Sequence, residues 1–412
     1  MLTRRGAGLL AAAAALWLLA RSYGISEAQM AAVAALVLVA FAVVFTSLTS
    51  TRLRLERVVT PATLWFDAAG TVVLTLINAG RMPTASIELL DAVPAGLAER
   101  PRARLDPLPP GGRVTIRYGL RGAQRGRFRL GPVTVRLRDP FGLTVRTRTV
   151  HGTAEVTVFP PVWQLPAGVP FGGASSSGRE GRSRSTPSGE DLADVREYIR
   201  GDDLRTVHWP STAHRGKLMV RQAEASRSPR AVVLLDVRSS RHVGQGPTAS
   251  IEMGVAAAAS AGYHLAARGR SVVLLDRPLA RPAMPLPWER WLQTLAATEP
   301  EDVDLPGLFH QIAQGQAGDG TLVAIVTTPD ATELRQMVRA GRGFSTRLAV
   351  ILDTASHRDR PSAVPVSGDA LAAASSLRAA GWRATVLRRG DRLDERWREL
   401  LSSPRASAGA AR

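Results

Sequence analysis

The 412-residue chain contains no cysteine, which excludes disulfides and thiolate metal sites and agrees with a reducing compartment. It is nearly as poor in lysine: Lys217 is the single lysine among 53 basic residues, so the formal net charge of +18 is carried by arginine. Such a charge suits an anionic partner, a lipid surface or a nucleic acid. However, no interleaved aromatic platform or known nucleic-acid module accompanies it, and arginine in an alanine-rich chain is what a G+C-rich genome produces without a binding site. Nucleic-acid binding is therefore not expected. Also missing are a Gly-Lys-Ser/Thr phosphate loop opening a helix and a Gly-x-Ser-x-Gly nucleophile elbow. His208 and His214 lack helical i, i+4 spacing and a third ligand, which argues against zinc or general-base chemistry.

Long apolar runs are present at the N-terminus. Ala28 to Leu48 is a charge-free stretch of 21 residues, about 31 Å as a helix and enough to cross a bilayer. Gly6 to Ala20 is also free of charge but only 15 residues long, the length of a short span or of a signal-peptide core. No small-x-small cleavage site follows it, and Arg21 to Glu27 is long enough to turn the chain, so residues 1–50 are expected to form a transmembrane helical hairpin. Arg4 and Arg5 precede the first span and Arg52, Arg54 and Arg57 follow the second, which places both ends, and the bulk of the chain, in the cytoplasm of a multi-pass cell-membrane protein.

Residues 58–162 read as short alternating runs broken by Gly, Pro and Asn. Seven strands are expected, over 71–77, 86–90, 113–120, 128–130, 133–137, 143–149 and 154–159, as a small antiparallel β-sandwich with Phe141 in its core. Residues 163–188 are Gly-, Ser- and Arg-rich and read as a flexible linker. Beyond, 189–402 combine a charged joint with alternating strands (231–236, 271–275, 321–327, 347–352, 383–387) and helices (248–268, 288–298, 305–314, 330–340, 369–380, 392–401). That alternation predicts a doubly wound parallel α/β sheet; 403–412 read as a disordered tail.

The joint, from Ser188 to Arg227, is the densest charged segment. Leu192, Val195, Tyr198 and Ile199 have helical spacing, so a short helix ended by Gly201 is expected. Arg200, Asp202, Asp203 and Arg205 then set carboxylates beside guanidiniums, with Arg221 as a further ion-pair partner. Val207 and Trp209 read as an apolar anchor. The segment is either a solvated loop of weak ion pairs or a docking surface. Its residues Arg196, Tyr198, Gly201, Asp202, Arg205, Trp209, Leu218, Val220, Arg221 and Glu224 resemble the signature of the bacterial domain-of-unknown-function family numbered 58. The chain departs from that pattern at His208, Pro210 and His214. The stretches from Gly126 to Pro132 and from Asp139 to Leu143 also resemble motifs of that family, besides reading as turn chemistry.

The resemblance implies a von Willebrand factor A-like domain, whose metal site uses Asp-x-Ser-x-Ser after the first strand. The corresponding residues are Asp236-Val237-Arg238-Ser239-Ser240. Asp236 and Ser240 match and Asp330 is the nearest later acid, so these three are the candidate ligands for Mg²⁺. Arg238 puts a cation where an oxygen ligand belongs, which opens the alternative that Arg238 pairs with Asp236 and replaces the ion's charge. The resemblance further implies partnership with a MoxR-type AAA+ ATPase. The expected function is a membrane-anchored, non-catalytic interaction scaffold; a metal-dependent membrane-proximal hydrolase and an adhesion module of opposite topology are the alternatives.

Overall fold

The computed structural model describes residues 1–49, 52–167, 195–197, 209–221, 230–278, 284–314, 320–358 and 366–402. The chain divides into two compact units: Met1–Pro161, with the short pieces Gln245–Pro247 and Leu292–Thr298, and the remainder.

The first unit begins with two apolar helices, α1 (Arg4–Tyr23) and α2 (Ser26–Leu48), both long and apolar enough to cross a membrane. Thr3 caps α1 by accepting from the Gly6 N–H, and Gly24 ends it in the left-handed region at φ 69°. Ten strands follow: β1 (Leu53–Thr60), β2 (Thr63–Trp65), β3 (Ala69–Asn78), β4 (Ser86–Asp91), β5 (Arg102–Leu105), β6 (Arg113–Arg121), β7 (Gly126–Leu130), β8 (Val133–Arg138), β9 (Val145–Val150) and β10 (Ala154–Phe159). They form sheets of order β1-β3-β6, β2-β10-β7 and β5-β4-β8-β9. Strict alternation decides which face is buried. In β3, Val72, Leu74 and Leu76 turn inward, and they meet Ile87 and Leu89 of β4 and Val133, Val135 and Leu137 of β8 in one core shared by all three sheets. Each such side chain contributes about 1.5–3 kcal/mol by leaving water.

Three features of this unit differ from the sequence expectation. Three strands, β1, β2 and β5, were not among the seven expected, because their charged or very short runs carry little apolar alternation. Phe141, expected in the core, is 52% exposed on the loop between β8 and β9. Arg57 is also not a surface charge beside the membrane: its side chain is 1% exposed and its Nη2 donates to Asp91 Oδ1 at 2.6 Å. Tyr118 donates its hydroxyl to Asp91 Oδ2 at 2.5 Å. Burial, reinforced by that bond to a carboxylate, pushes the Tyr118 phenol well above its ordinary value.

In the second unit, β11 (Val195–Glu197) pairs antiparallel with β12 (Met219–Arg221), with α3 (Trp209–Arg215) between them in sequence. Val195–Glu197 is therefore strand where a helix was expected. The main sheet comprises β13 (Arg230–Leu235), β14 (Ser271–Leu275), β15 (Thr321–Thr327), β16 (Thr346–Leu352) and β17 (Arg383–Leu387), all parallel, in the order β14-β13-β15-β16-β17. Its strands carry near-continuous apolar runs, such as 231–235 in β13 and 322–326 in β15, because both faces are covered. The helices α6 (Leu305–Gln314), α7 (Ala331–Ala340) and α8 (Gly368–Ala379) cover one face, where Leu308, Met337 and Leu377 meet Leu234, Ala324 and Ile351. On the other lies α4 (Ser250–Ala266), whose Gly254 backs onto Leu235 and Leu352. A side chain at Gly262 of α4 would overlap the indole of Trp291 in α5 (Trp288–Ala297). The last helix is α9 (Leu393–Ser402). The residues 163–167, expected in the linker, begin this unit: the Trp163 N–H donates to Ser260 Oγ at 3.0 Å and Leu165 is buried. The rest of that linker and the tail from 403 lie outside the described residues.

Within this unit His264 is buried with its ring edge-on to Trp397, centroids 5.7 Å apart. Burial, with the Arg268 charge nearby, pushes its imidazole down from 6.5 to about 4. The unfolded chain therefore takes up a proton first on acidification. Stability from this group is complete above pH 6.5 and is lost as pH falls toward about 4. His242 and His357, also pushed down by burial, act in the same direction. Melting of the detergent-solubilised chain should accordingly fall across that window, and His264→Leu should flatten the slope without abolishing it. In the first unit, Asp91→Ala leaves the Arg57 guanidinium buried and unpaired; denaturant titration should register a loss of about 3–5 kcal/mol.

Candidate functional site

In an open parallel sheet, ligands collect at the carboxyl ends of the strands where the strand order reverses. Here that point lies between β13 and β15. The residue after β13 is Asp236, fully buried, and the last residue of β15 is Thr327, 1% exposed. The chain leaves β13 through Val237 and Arg238, and a bridge between Arg238 and Glu301 fixes the turn.

Arg238 folds back on the strand end. Its Nε donates to Asp236 Oδ1 at 2.9 Å and its Nη2 to Asp236 Oδ2 at 2.8 Å, the paired geometry that a planar guanidinium allows. The Arg238 N–H adds a bond to Oδ1 at 3.1 Å, while Thr327 donates to Oδ2 from its hydroxyl at 2.6 Å and its N–H at 3.2 Å. Both carboxylate oxygens are thus saturated by donors of the chain itself. Burial, the largest influence on Asp236, pushes its carboxyl up; the bonds and charge of Arg238 and the Thr327 hydroxyl outweigh it and hold the group below the ordinary carboxylate range. The same pairing raises Arg238 further, against burial.

A second carboxylate meets Arg238 from the opposite side. Nη1 of Arg238 donates to Glu333 Oε1, which Arg241 Nη2 also approaches at 3.4 Å. Glu333 Oε2 accepts from the Asp330 N–H at 3.0 Å, and Asp330 Oδ1 accepts from the N–H groups of Thr332 at 2.8 Å and Glu333 at 2.9 Å. This reciprocal capping box starts α7. One guanidinium thereby fastens the ends of β13 and β15 to the first turn of α7. Behind it, His242 Nε2 lies 2.8 Å from the Asp236 carbonyl and Nδ1 2.9 Å from Ser250 Oγ. A carbonyl accepts only, so Nε2 carries the proton and Nδ1 accepts from the serine hydroxyl. That is the neutral imidazole, in keeping with a value lowered chiefly by burial.

Of the three proposed metal ligands, Asp236 is held by Arg238, Ser240 is exposed, and Asp330 caps α7 with its side chain half exposed. Asp236 and Asp330 are joined through the ion pairs of Arg238 and Arg241 with Glu333. Among the described residues no group of three or more His, Cys, Asp or Glu side chains is placed to hold an ion. Glu333 was not anticipated, although the spacing Asp330-x-x-Glu333 ahead of an apolar-periodic run is a capping-box signal in the sequence. In the charged joint, β11 and β12 bring Arg196 and Arg221 into one ladder, with Val195 opposite Arg221 and Arg196 opposite Val220. Trp209, expected to anchor an apolar patch, is 69% exposed. Tyr198, Gly201, Asp202, Arg205 and Glu224 lie outside the described residues.

Residues 194–303, which run from the joint through Asp236 and Arg238, match the family model described as "Protein of unknown function DUF58". Comparison with curated proteins returns no match. Among solved structures, the CARDB domain of a Pyrococcus furiosus protein is 15% identical, with 26% of this chain and 87% of that one covered at a TM-score of 0.20. Red sea bream transglutaminase is 16% identical over 25% of this chain and 14% of its own, at a TM-score of 0.19. Likenesses this slight carry no argument about either chain.

Removing the guanidinium would strand Asp236 in the interior. Arg238→Met should cost about 3–5 kcal/mol in denaturant unfolding, and the double variant Asp236→Val with Arg238→Met should recover most of that loss.

Proposed function

We propose that the chain is a membrane-anchored, non-catalytic protein-interaction scaffold. In this reading α1 and α2 cross the cell membrane, the β-rich unit is a sandwich, and the parallel sheet is a von Willebrand factor A-like domain, with both soluble parts on the cytoplasmic side. The observation that carries the proposal is the saturation of Asp236. The carboxylate that would ligate an ion in a domain of this type is instead neutralised by a guanidinium from its own loop, so recognition runs through protein surface and not through a metal-bound acid. The exposed Trp209, within the charged joint, is the kind of side chain that anchors protein interfaces. Exposed Arg4, Arg5, Arg52 and Arg54 at the outer ends of the two helices support the cytoplasmic orientation, without the contribution of buried Arg57. The partner class is a MoxR-type AAA+ ATPase, as the family resemblance implies.

Two measurements test this. Capture of the ATPase from solubilised membranes should weaken roughly tenfold or more with Trp209→Ala, in line with an interface hot spot, while the variant keeps its melting temperature; undiminished capture would remove Trp209 from the interface. For the ion substitution, Mg²⁺ should leave the melting temperature of the natural chain unchanged and raise that of Arg238→Ser, which restores an oxygen ligand at this position. A rise in the natural chain would favour the metal-dependent alternative.

A further inference from the structure

We infer that the loop Asp139–Leu143, at the foot of the helical hairpin, is an interfacial anchor that seats Phe141 in the lipid headgroup layer. This rests on the membrane-anchored reading above and adds where the bilayer surface lies on the β-rich unit.

The loop is tied to both helices. On the α1 side, the N-terminal ammonium of Met1 donates to the Val145 carbonyl at 3.0 Å, the Thr3 N–H to the Leu143 carbonyl at 2.9 Å, and the Thr3 hydroxyl to the Gly142 carbonyl at 2.8 Å. Gly6 lies so close to the loop that any Cβ there would overlap the Leu143 carbonyl. On the α2 side, Thr144 Oγ1 lies 3.2 Å from the Ala42 carbonyl and 3.2 Å from Thr46 Oγ1, and Leu143 packs with Val39 and Ala42. Asp139 holds the loop in shape by accepting from the Phe141 N–H at 2.9 Å and from the Thr144 hydroxyl at 2.9 Å.

Helix lengths then fix the depth. From the level of the loop, α1 rises through its 20 residues, about 30 Å, and α2 through Ser26–Ala42, about 25 Å. A hydrocarbon core of about 30 Å takes the whole of α1 and leaves none of this part of α2 to spare. Its lower boundary therefore falls at the loop, and no stalk separates membrane from sheet. The last turns of α2 already belong to the β-rich unit: Phe45 packs against its core, and Thr46 and Thr49 are buried. At the same end sits the turn after β3, where the Ala79 N–H donates to the Arg52 carbonyl at 2.8 Å and Asn78 Nδ2 to the Met82 carbonyl at 2.9 Å. Phe141 on the loop and Met82 on the turn are 52% and 48% exposed, and Arg4 and Arg5 at the start of α1, Arg52 after α2 and Arg81 next to Met82 in the chain are exposed as well. Aromatic and apolar tips among arginines are the composition of a protein surface resting on headgroups.

Because the chain lacks cysteine, single-cysteine variants of the full chain can each carry one environment-sensitive fluorophore. In phosphatidylcholine–phosphatidylglycerol vesicles, labels at Phe141→Cys and at Met82→Cys should lose most of their fluorescence to a lipid nitroxide held near the headgroup, and less to one near the chain end. A label at Val37→Cys, 61% exposed on α2, should be quenched by the deep nitroxide. One at Ala69→Cys, at the far end of β3, should not be quenched by either. Quenching at Val37 with none at Phe141 and Met82 overturns the seating of the loop while leaving the span intact. An unquenched Val37 overturns the membrane reading itself.

Discussion

A carboxylate with no exposure to water, set at the end of an interior strand of a sheet, must be neutralised or bonded on every side. Asp236 is in that position, and Arg238 meets the requirement from two residues away. Transfer of a lone carboxylate to such surroundings is expensive. The pair is tolerable because the guanidinium presents a fork that matches both oxygens and still has Nη1 left for Glu333. Lysine, whose donors all radiate from one nitrogen, has no planar fork to match both oxygens of Asp236 while reaching Glu333 on the opposite side. The switch point of the sheet is consequently closed by an internal salt bridge, and α7 is fastened to β13 and β15 through it.

The same solution recurs in the first unit with different partners. Arg57 lies among the strands with a carboxylate on one side, and Tyr118 completes the acceptor set of Asp91. In both places arginine works inside the protein, so the excess of arginine over lysine is not only a surface property. These pairs add nothing to the net charge of +18, because each guanidinium is matched by a carboxylate in the same count, so the excess positive charge is carried by the other arginines.

Much of the second unit was legible because its physics is local. Five apolar runs covered on both faces, separated by amphipathic helices, leave few alternatives to a parallel sheet, and the observed strands and helices fall within a few residues of those read from the pattern. What escaped depends on distant parts of the chain. Val195 and its neighbours have helical spacing, yet they pair with Met219–Arg221, a partner that no local period reveals. Phe141 was assigned to the core on its apolarity alone, and Arg57 to the membrane flank on its sequence position; burial decided both the other way. At the candidate site the sequence left two readings of Arg238, as a damaged metal loop or as an internal counter-ion. What no local pattern in the sequence conveys is that Nε and Nη2 of Arg238 reach the two oxygens of Asp236.

An apolar helix pair by itself is defined by little beyond its length and hydropathy, because one greasy hairpin can replace another. The contacts at the foot of this one are different in kind. Thr3, Gly6, Ala42 and Thr46 meet a single loop through backbone carbonyls and hydroxyls, groups whose geometry an arbitrary hydrophobic sequence would not reproduce. A side chain at Gly6 would displace the loop, and loss of the Thr46 hydroxyl would remove one of the contacts that tie Thr144 to α2, leaving the one to the Ala42 carbonyl. The hairpin therefore has to be read as part of the β-rich unit's structure, which constrains its sequence well beyond hydropathy.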